Sequence, residues 1–289
     1  MQSHRASLSA LALLPLLAAP AAAEPFRATY NVVAAGMTVM EIETVFDLAA
    51  PAGYRIHMST RLRGLAGFLI SGQQVTAVRG AWAGTQARPA RYETDGVWRG
   101  ETRRILLEYP AGEPEVRTLI PPNDAEREPV PPDMARGTMD SLSALAQLSR
   151  AVGATQSCDA TAGVYDGRRR TDFVARTNGW ERLPAGRESW AGDAIRCEFQ
   201  GRQVAGFLLD QDRAAEWRRP QEGTAWLASV RPGTPPVPVR LEIPTRMFGR
   251  ITAYLVSVAP EPRNTEVTTP SRSAGLAATG ASPAIAARP

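Results

Sequence analysis

Two stretches decide the fold: Thr38-Val39-Met40-Glu41-Ile42-Glu43-Thr44-Val45-Phe46-Asp47, and Tyr54-Arg55-Ile56-His57-Met58-Ser59-Thr60-Arg61-Leu62-Arg63. In the first, Met40, Ile42, Thr44 and Phe46 alternate with Glu41, Glu43 and Asp47. In the second, Tyr54, Ile56, Met58 and Leu62 alternate with Arg55, His57, Ser59, Arg61 and Arg63. A strand turns successive side chains to opposite faces, so each stretch reads as a strand with one wet face and one dry face. Such strands belong to antiparallel sheets packed on one side only.

Outward from this pair the same pattern continues from Phe26. Further strands are expected over Val75–Trp82, Ala90–Asp95, Glu101–Tyr109, Val116–Ile120, Arg168–Arg176, Ile195–Gln200, Ala225–Val230, Val239–Ile243 and Ile251–Val258. Gly and Pro punctuate them at meander spacing, and Asp166-Gly167 fits a two-residue hairpin turn. One helix is expected over Met139–Val152, capped by Thr138 and ended by Gly153, with Leu142, Leu145 and Leu148 on one stripe. Pro121–Arg136 holds five prolines and reads as a long loop. The expected fold is all-β with one short helix, a large antiparallel meander forming a closed or partly open barrel.

The ends differ from the middle. Leu8–Ala19 is an apolar run behind His4 and Arg5, and Ala21-Ala22-Ala23 precedes Glu24. This is the pattern of an export signal cleaved before Glu24, and its apolar run is too short to span a bilayer. Residues 1–23 are therefore expected to be a signal peptide, 24–260 a single β-barrel-like domain and 261–289 a disordered tail of Ala, Ser, Thr, Pro and Gly. An exported chain without a transmembrane span is expected in the periplasm. Cys158 and Cys197 are the two cysteines. In an oxidising compartment an isolated pair is expected to bond.

Composition excludes more than it assigns. The chain has 289 residues, 44% hydrophobic, with 24 Gly and 24 Pro. That is ample for a globular core and unlike a coiled coil or collagen. All 33 cationic side chains are Arg, and the net charge is only +4. A nucleic-acid binder would carry a dense basic stripe with interleaved aromatics, which is not found.

Several motifs, in order, resemble a family of exported bacterial proteins, domain of unknown function 3108. They are the opening Tyr30…Gly36 strand pair; Arg63-Gly64-Leu65-Ala66-Gly67-Phe68 followed by Pro89-Ala90-Arg91-Tyr92; Thr138-Met139-Asp140-Ser141-Leu142-Ser143-Ala144-Leu145 leading to Val164-Tyr165-Asp166-Gly167-Arg168-Arg169; and Pro238-Val239-Arg240-Leu241. The resemblance spans about residues 26–258. It implies an antiparallel meander closing into a full or partial barrel, and it brings no catalytic residues. Open barrels of this general kind also resemble carriers of lipids and lipoproteins, an analogy of architecture alone.

Catalytic chemistry finds little support. His57 is the single histidine after the signal and falls on a polar strand face among arginines, with no nucleophile elbow. Glu41 and Glu43 share a face but read as a solvated pair rather than a glycosidase dyad. No catalytic, metal or cofactor site is expected. Binding finds more. Leu65, Phe68, Leu69 and Ile70 form an apolar run between Gly64 and Gly72, suited to a rim that contacts a hydrophobic ligand. Arg168 and Arg170 follow the Asp-Gly turn on one face and suit an anionic group. Trp82, Tyr92 and Trp98 could line a cavity. The leading expectation is a non-enzymatic periplasmic protein that binds a hydrophobic or amphiphilic envelope molecule, of lipid or lipoprotein type. The alternatives are a structural or protein-interaction component of the envelope without a ligand and, behind it, a glycan hydrolase.

Overall fold

The computed structural model describes residues 24–64, 72–98, 100–186, 189–210, 214–215, 217–245 and 249–262. The expected signal, the Leu65–Ile70 run and nearly all of the expected tail lie outside these residues. The strands are β1 (Phe26–Ala34), β2 (Met37–Asp47), β3 (Gly53–Leu62), β4 (Gly72–Ala83), β5 (Gln86–Trp98), β6 (Glu101–Glu108) and β7 (Glu115–Ile120). After a connection carrying α1 (Pro132–Ala135) and α2 (Ser141–Thr155) come β8 (Ala160–Tyr165), β9 (Arg170–Leu183), β10 (Gly192–Ala205), β11 (Gln221–Ala228), β12 (Val237–Thr245) and β13 (Gly249–Pro260).

All thirteen strands join one antiparallel sheet in the order β7-β6-β5-β4-β3-β2-β1-β13-β12-β11-β10-β9-β8. Apart from β7 and β8, strands that follow one another in the chain pair side by side, and β1 also pairs with β13, which joins the first and last strands. The two edges, β7 and β8, do not pair with each other, so the ladder is open.

The alternation seen in β2 and β3 sets the inward face. Register places Phe26, Phe46, Ile56, Val78, Tyr92 and Leu107 in one row across six strands. All six are buried in a shared core. The next row holds Thr44, Met58, Thr76, Thr94 and Ile105, with Thr76 and Thr94 hydroxyls 3.2 Å apart. A buried hydroxyl needs a partner, and this cross-strand pair supplies one.

Helix α2 packs on this inward face at one end of the strands. Leu142 and Ala146 join the core of the rows above, while Val152 joins a second cluster with Cys158, Ile195, Cys197, Ala225 and Leu227. Its cap is Asp140, whose carboxylate accepts from Ser143 N–H at 2.8 Å. Thr138 lies two residues earlier and donates instead to Ala135 O. The helix also runs past Gly153 and ends at Gln156, which takes a left-handed φ of 54°. Gly153 instead permits close packing, since a Cβ there would come within 3.1 Å of Pro236. The expected disulfide is formed, with Cys158 and Cys197 Cα atoms 5.8 Å apart.

The open edges are spanned by a strap, the connection 121–140. Met139 bridges Val164 of β8 through Met139 N–H to Gly163 O and Tyr165 N–H to Met139 O. Arg127 bridges Leu208. The turn between β8 and β9 then docks on inward side chains of β6 and β7. Gly167 sits so near Ile105 and Leu107 that a Cβ would lie 3.0 and 3.4 Å from them. The seam of the barrel is thus covered by a strap and a turn rather than by a further strand ladder.

Candidate functional site

The two ends of the inward face differ. At one end Tyr54 stands near the start of β3, Trp82 near the end of β4 and Ala87 near the start of β5, and α2 covers them. Tyr54 OH bonds Ser143 Oγ at 2.7 Å, Ala87 N–H donates to Gln147 Oε1 at 2.9 Å, and Arg150 lies 4.4 Å over Trp82. This end is filled. Asp140 is fully buried there, with Ser143 Oγ–H at 2.6 Å and Tyr109 OH at 3.4 Å. Burial pushes the Asp140 carboxyl above its ordinary range, against the pull of its hydrogen bonds to Ser143. Burial likewise raises the Tyr54 and Tyr109 phenols, and takes Tyr92 up to about 12.

At the opposite end the inward side chains are less covered. Met40, Ile42, Met58, Leu62 and Trp98 are each half-buried. Leu62 and Trp98 converge over Gly72, where a Cβ would meet them at 2.7 and 3.0 Å. Tyr30, in the row with Ile42 and Leu255, is buried with no partner for its hydroxyl among the described residues. Burial raises that phenol's pKa as well. We call this end the mouth. The segment Leu65–Ile70 joins β3 to β4 here by chain connectivity, and it lies outside the described residues.

Arg168 and Arg170 are both turned toward the strap but not toward one point. Arg168 is 7% exposed and donates through Nη2 to Ile120 O and Pro121 O, each at 2.8 Å. Arg170 donates to Met134 O at 2.7 Å and pairs with Asp172 at 2.9 Å. Two residues that sequence reasoning missed stand beside Arg168. Arg103 clasps Glu126 with both Nη atoms, and Arg127 donates to Gly206 O. They are 65 and 41 positions from Arg168 in the chain, so no local spacing announces them.

Of the other aromatic candidates, Tyr92 is core, Trp82 stacks on Tyr54 with centroids 4.6 Å apart, and Trp98 borders the mouth. Glu41 and Glu43 pair with Arg63, Arg61 and Arg27 on the outer face. His57 lies on that face between Val45 and Ala77, and burial with the nearby Arg27 charge lowers its pKa. A cleft of about 420 Å³ at the β9–β10 connection is lined by Arg182, Leu183, Pro184, Ala185, Ala191 and Gly192. Among the described residues no group of three or more His, Cys, Asp or Glu is placed to hold a metal ion. Among them, too, no helix is long and apolar enough to cross a membrane.

Fold and site together define an antiparallel β-barrel-like protein with a helix packed inside one end and a strap along one seam. The chain belongs to the family described as protein of unknown function, DUF3108, which it matches over residues 25–256. Comparison with curated proteins gives no match. Among solved structures it is similar to a β-barrel-like protein of the domain of unknown function DUF1849 from Brucella abortus. That match has 12% identity and a TM-score of 0.47, covering 82% of this chain and 98% of that one. It is also similar to a candidate lipoprotein from Parabacteroides distasonis (10% identity, TM-score 0.33, 82% and 96% covered). A candidate exported protein with a YmcC-like fold from Bacteroides fragilis matches at 12% identity and TM-score 0.33, with 82% and 96% covered.

Proposed function

We propose that this is a non-enzymatic protein of the periplasm, exported by the signal at 1–23, that binds an amphiphilic envelope molecule at the mouth of its barrel. The observation that carries the reading is the asymmetry of the inward face. Core-type side chains at Met40, Ile42, Met58, Leu62 and Trp98 stay only half-buried at the end away from α2. Half-buried apolar side chains beside a few polar groups such as Tyr30 OH are the materials from which small-molecule sites are built. In this reading Leu65, Phe68, Leu69 and Ile70 add apolar surface from the β3–β4 connection. A bonded cysteine pair suits the oxidising compartment that export implies.

A second reading has its own observation. Helix α2 fills the other half of the barrel, as it would in a scaffold that works through its outer surface and takes no ligand. Native mass spectrometry of protein purified from the periplasm, followed by organic extraction, separates the two. An amphiphile bound in stoichiometric amount is expected. A bare polypeptide mass, unchanged after incubation with envelope lipids, would leave the scaffold reading in possession.

A further inference from the structure

We propose that the barrel seam holds an oxyanion site, formed by the guanidinium groups of Arg103, Arg127 and Arg168, that takes a phosphate group. Only the source of that phosphate, as the headgroup of the amphiphile, rests on the reading above.

Unmet hydrogen bonds concentrate at the seam. Among the described residues, eleven buried side-chain polar atoms have no partner, and five of them belong to this one place. They are Arg103 Nε, Arg127 Nε, Arg168 Nη1, Asn123 Oδ1 and Gln203 Oε1. Shared contacts tie four of the five together, and Glu126 links Arg103 to Arg127 along the chain. Asn123 Nδ2 donates to Arg168 O at 3.1 Å, and Arg127 Nη1 and Gln203 Nε2 both donate to Gly206 O at 2.9 Å. Gly206 lies against the Arg168 carbonyl, where a Cβ would come within 2.2 Å. Arg103 is held by Glu126, the residue before Arg127, at 2.7 Å. Leaving buried donors unmet is costly, so a group that met several of these donors together would stabilise the seam.

Charge indicates which ligand. Arg103, Arg127, Arg168 and Arg169 face Glu126 and Asp166, with the largely exposed Glu101 on the outer side of Arg103. Within this contact cluster four cations meet three anions, and the adjoining Arg218–Glu128 pair adds no net charge. Burial lowers the pKa of both Arg127 and Arg168, and the neighbouring arginines lower it further. These two guanidinium groups are therefore held in the fold at a cost that an anion would relieve, whereas the pKa of Arg103 is raised by its bond to Glu126. The mix of three donors with two acceptors favours an oxyanion that also carries a hydroxyl. Hydrogen phosphate and a singly protonated phosphate monoester have both, whereas a carboxylate offers acceptors alone.

Place supports the same reading. Arg103 lies near the start of β6 and Ile120 closes β7, opposite Arg104, at the mouth end of the sheet. A phosphate at the seam and an apolar chain in the mouth thus occupy adjoining ground. The bound group would also pin the strap, since Asn123 and Arg127 belong to it while Arg103 and Arg168 belong to the two sides it joins. Entry then requires the strap to lift, and association should be slower than diffusional encounter.

The test uses the full mature chain in chloride buffer of fixed ionic strength. Titration with inorganic phosphate, followed by calorimetry and thermal melting, should give saturable binding and a rise in Tm. Arg127→Gln keeps a donor for the strap and should bind at least about tenfold more weakly. Arg168→Lys, which retains charge but loses the fork, should do the same; phosphorus-31 exchange on the wild type gives a direct readout should either variant unfold. No response beyond that to chloride, or an equal response from both folded variants, overturns the site. Vesicles of phosphatidic acid against phosphatidylcholine distinguish the sources: selective binding assigns a lipid headgroup, and response to inorganic phosphate alone assigns the free ion. A co-purifying lipid on a protein indifferent to phosphate removes this site and spares the amphiphile reading. Phosphate binding without any lipid does the reverse.

Discussion

Asp140 is the most consequential single residue in the filled half. It caps α2, it is fully buried, and its partners are Ser143 N–H, Ser143 Oγ–H and Tyr109 OH rather than a cation. Its folded pKa is raised by burial above the unfolded value. For an acid shifted upward, the stabilising contribution is full below the unfolded pKa and is lost as pH rises through the folded one. Asp140→Asn keeps a cap oxygen and does not titrate. Its Tm relative to wild type should therefore climb as pH rises above about 4, the ordinary carboxyl value. A pH-independent difference would show that the carboxyl stays ionised at no cost. Asp140→Ala should cost about 2–3 kcal/mol, from the lost cap and the unmet Ser143 groups. His57 has the opposite sign. Its folded pKa is lowered, so its contribution is present above about 6.5 and is lost as pH falls through the folded value. His57→Ala should change stability by no more than about 0.5 kcal/mol near neutral pH and gain on wild type in acid. Loss of ligand binding in that variant, with melting intact, would put the histidine in the site. His57 was legible in the sequence, because alternation alone assigns its face. Asp140 as the cap was not, because Thr138 is an equally good capping residue and only the docking of Tyr54 and Tyr109 decides between them.

Among the elements, α2 and the disulfide act as one unit. Val152 in the last turns of the helix packs with Cys158 and Cys197, so the bond ties the helix exit to β10. The cysteines are 39 positions apart, a loop whose closure is worth roughly 4 kcal/mol in the chain-entropy model. Changing both to Ala should lower the unfolding free energy by about 2–4 kcal/mol in urea titrations, with unaltered far-ultraviolet circular dichroism. Equal midpoints for the two proteins would mean that packing around Val152 holds this corner without the bond. The elements also show where sequence legibility stops. Strands with one wet face, such as β2, β3 and β4, announce themselves by period two. β8 does not: Ala160-Thr161-Ala162-Gly163 is small on both faces, and its outer edge is covered by Met139 rather than by solvent. β9 runs on to Leu183, beyond the expected Arg176, because Gly179 takes a φ of +75° and carries the pairing past an irregularity. The proline-rich connection reads as a loop, and nothing local in it declares that it straps two sheet edges.

At the scale of the whole molecule, what matters is which half of the barrel is closed. Meander topology was legible, since turn residues mark the reversals between strands that pair with their chain neighbours. The division of the interior was not, because it depends on a helix entering one end. The seam arginines were half legible: Arg168 stands out after the Asp-Gly turn, but Arg103 and Arg127 meet it only when the strap crosses the seam. The division makes a sharp comparison possible. Met40 and Ile56 both face inward, but Met40 is half-buried at the mouth and Ile56 is 1% exposed beneath the helix-filled core. A carboxylate at position 56 has no water and no cation to meet, so Ile56→Glu should destabilise by several kcal/mol, on the order of 3–5. At the mouth a carboxylate can turn to solvent, so Met40→Glu should lower Tm only slightly while repelling an acyl chain and a phosphate alike. The expected pair of results is a folded Met40→Glu protein stripped of extractable amphiphile, beside an Ile56→Glu protein that melts early. If Met40→Glu collapses as Ile56→Glu does, the mouth is core, the barrel is filled from end to end, and the protein acts through its outer surface.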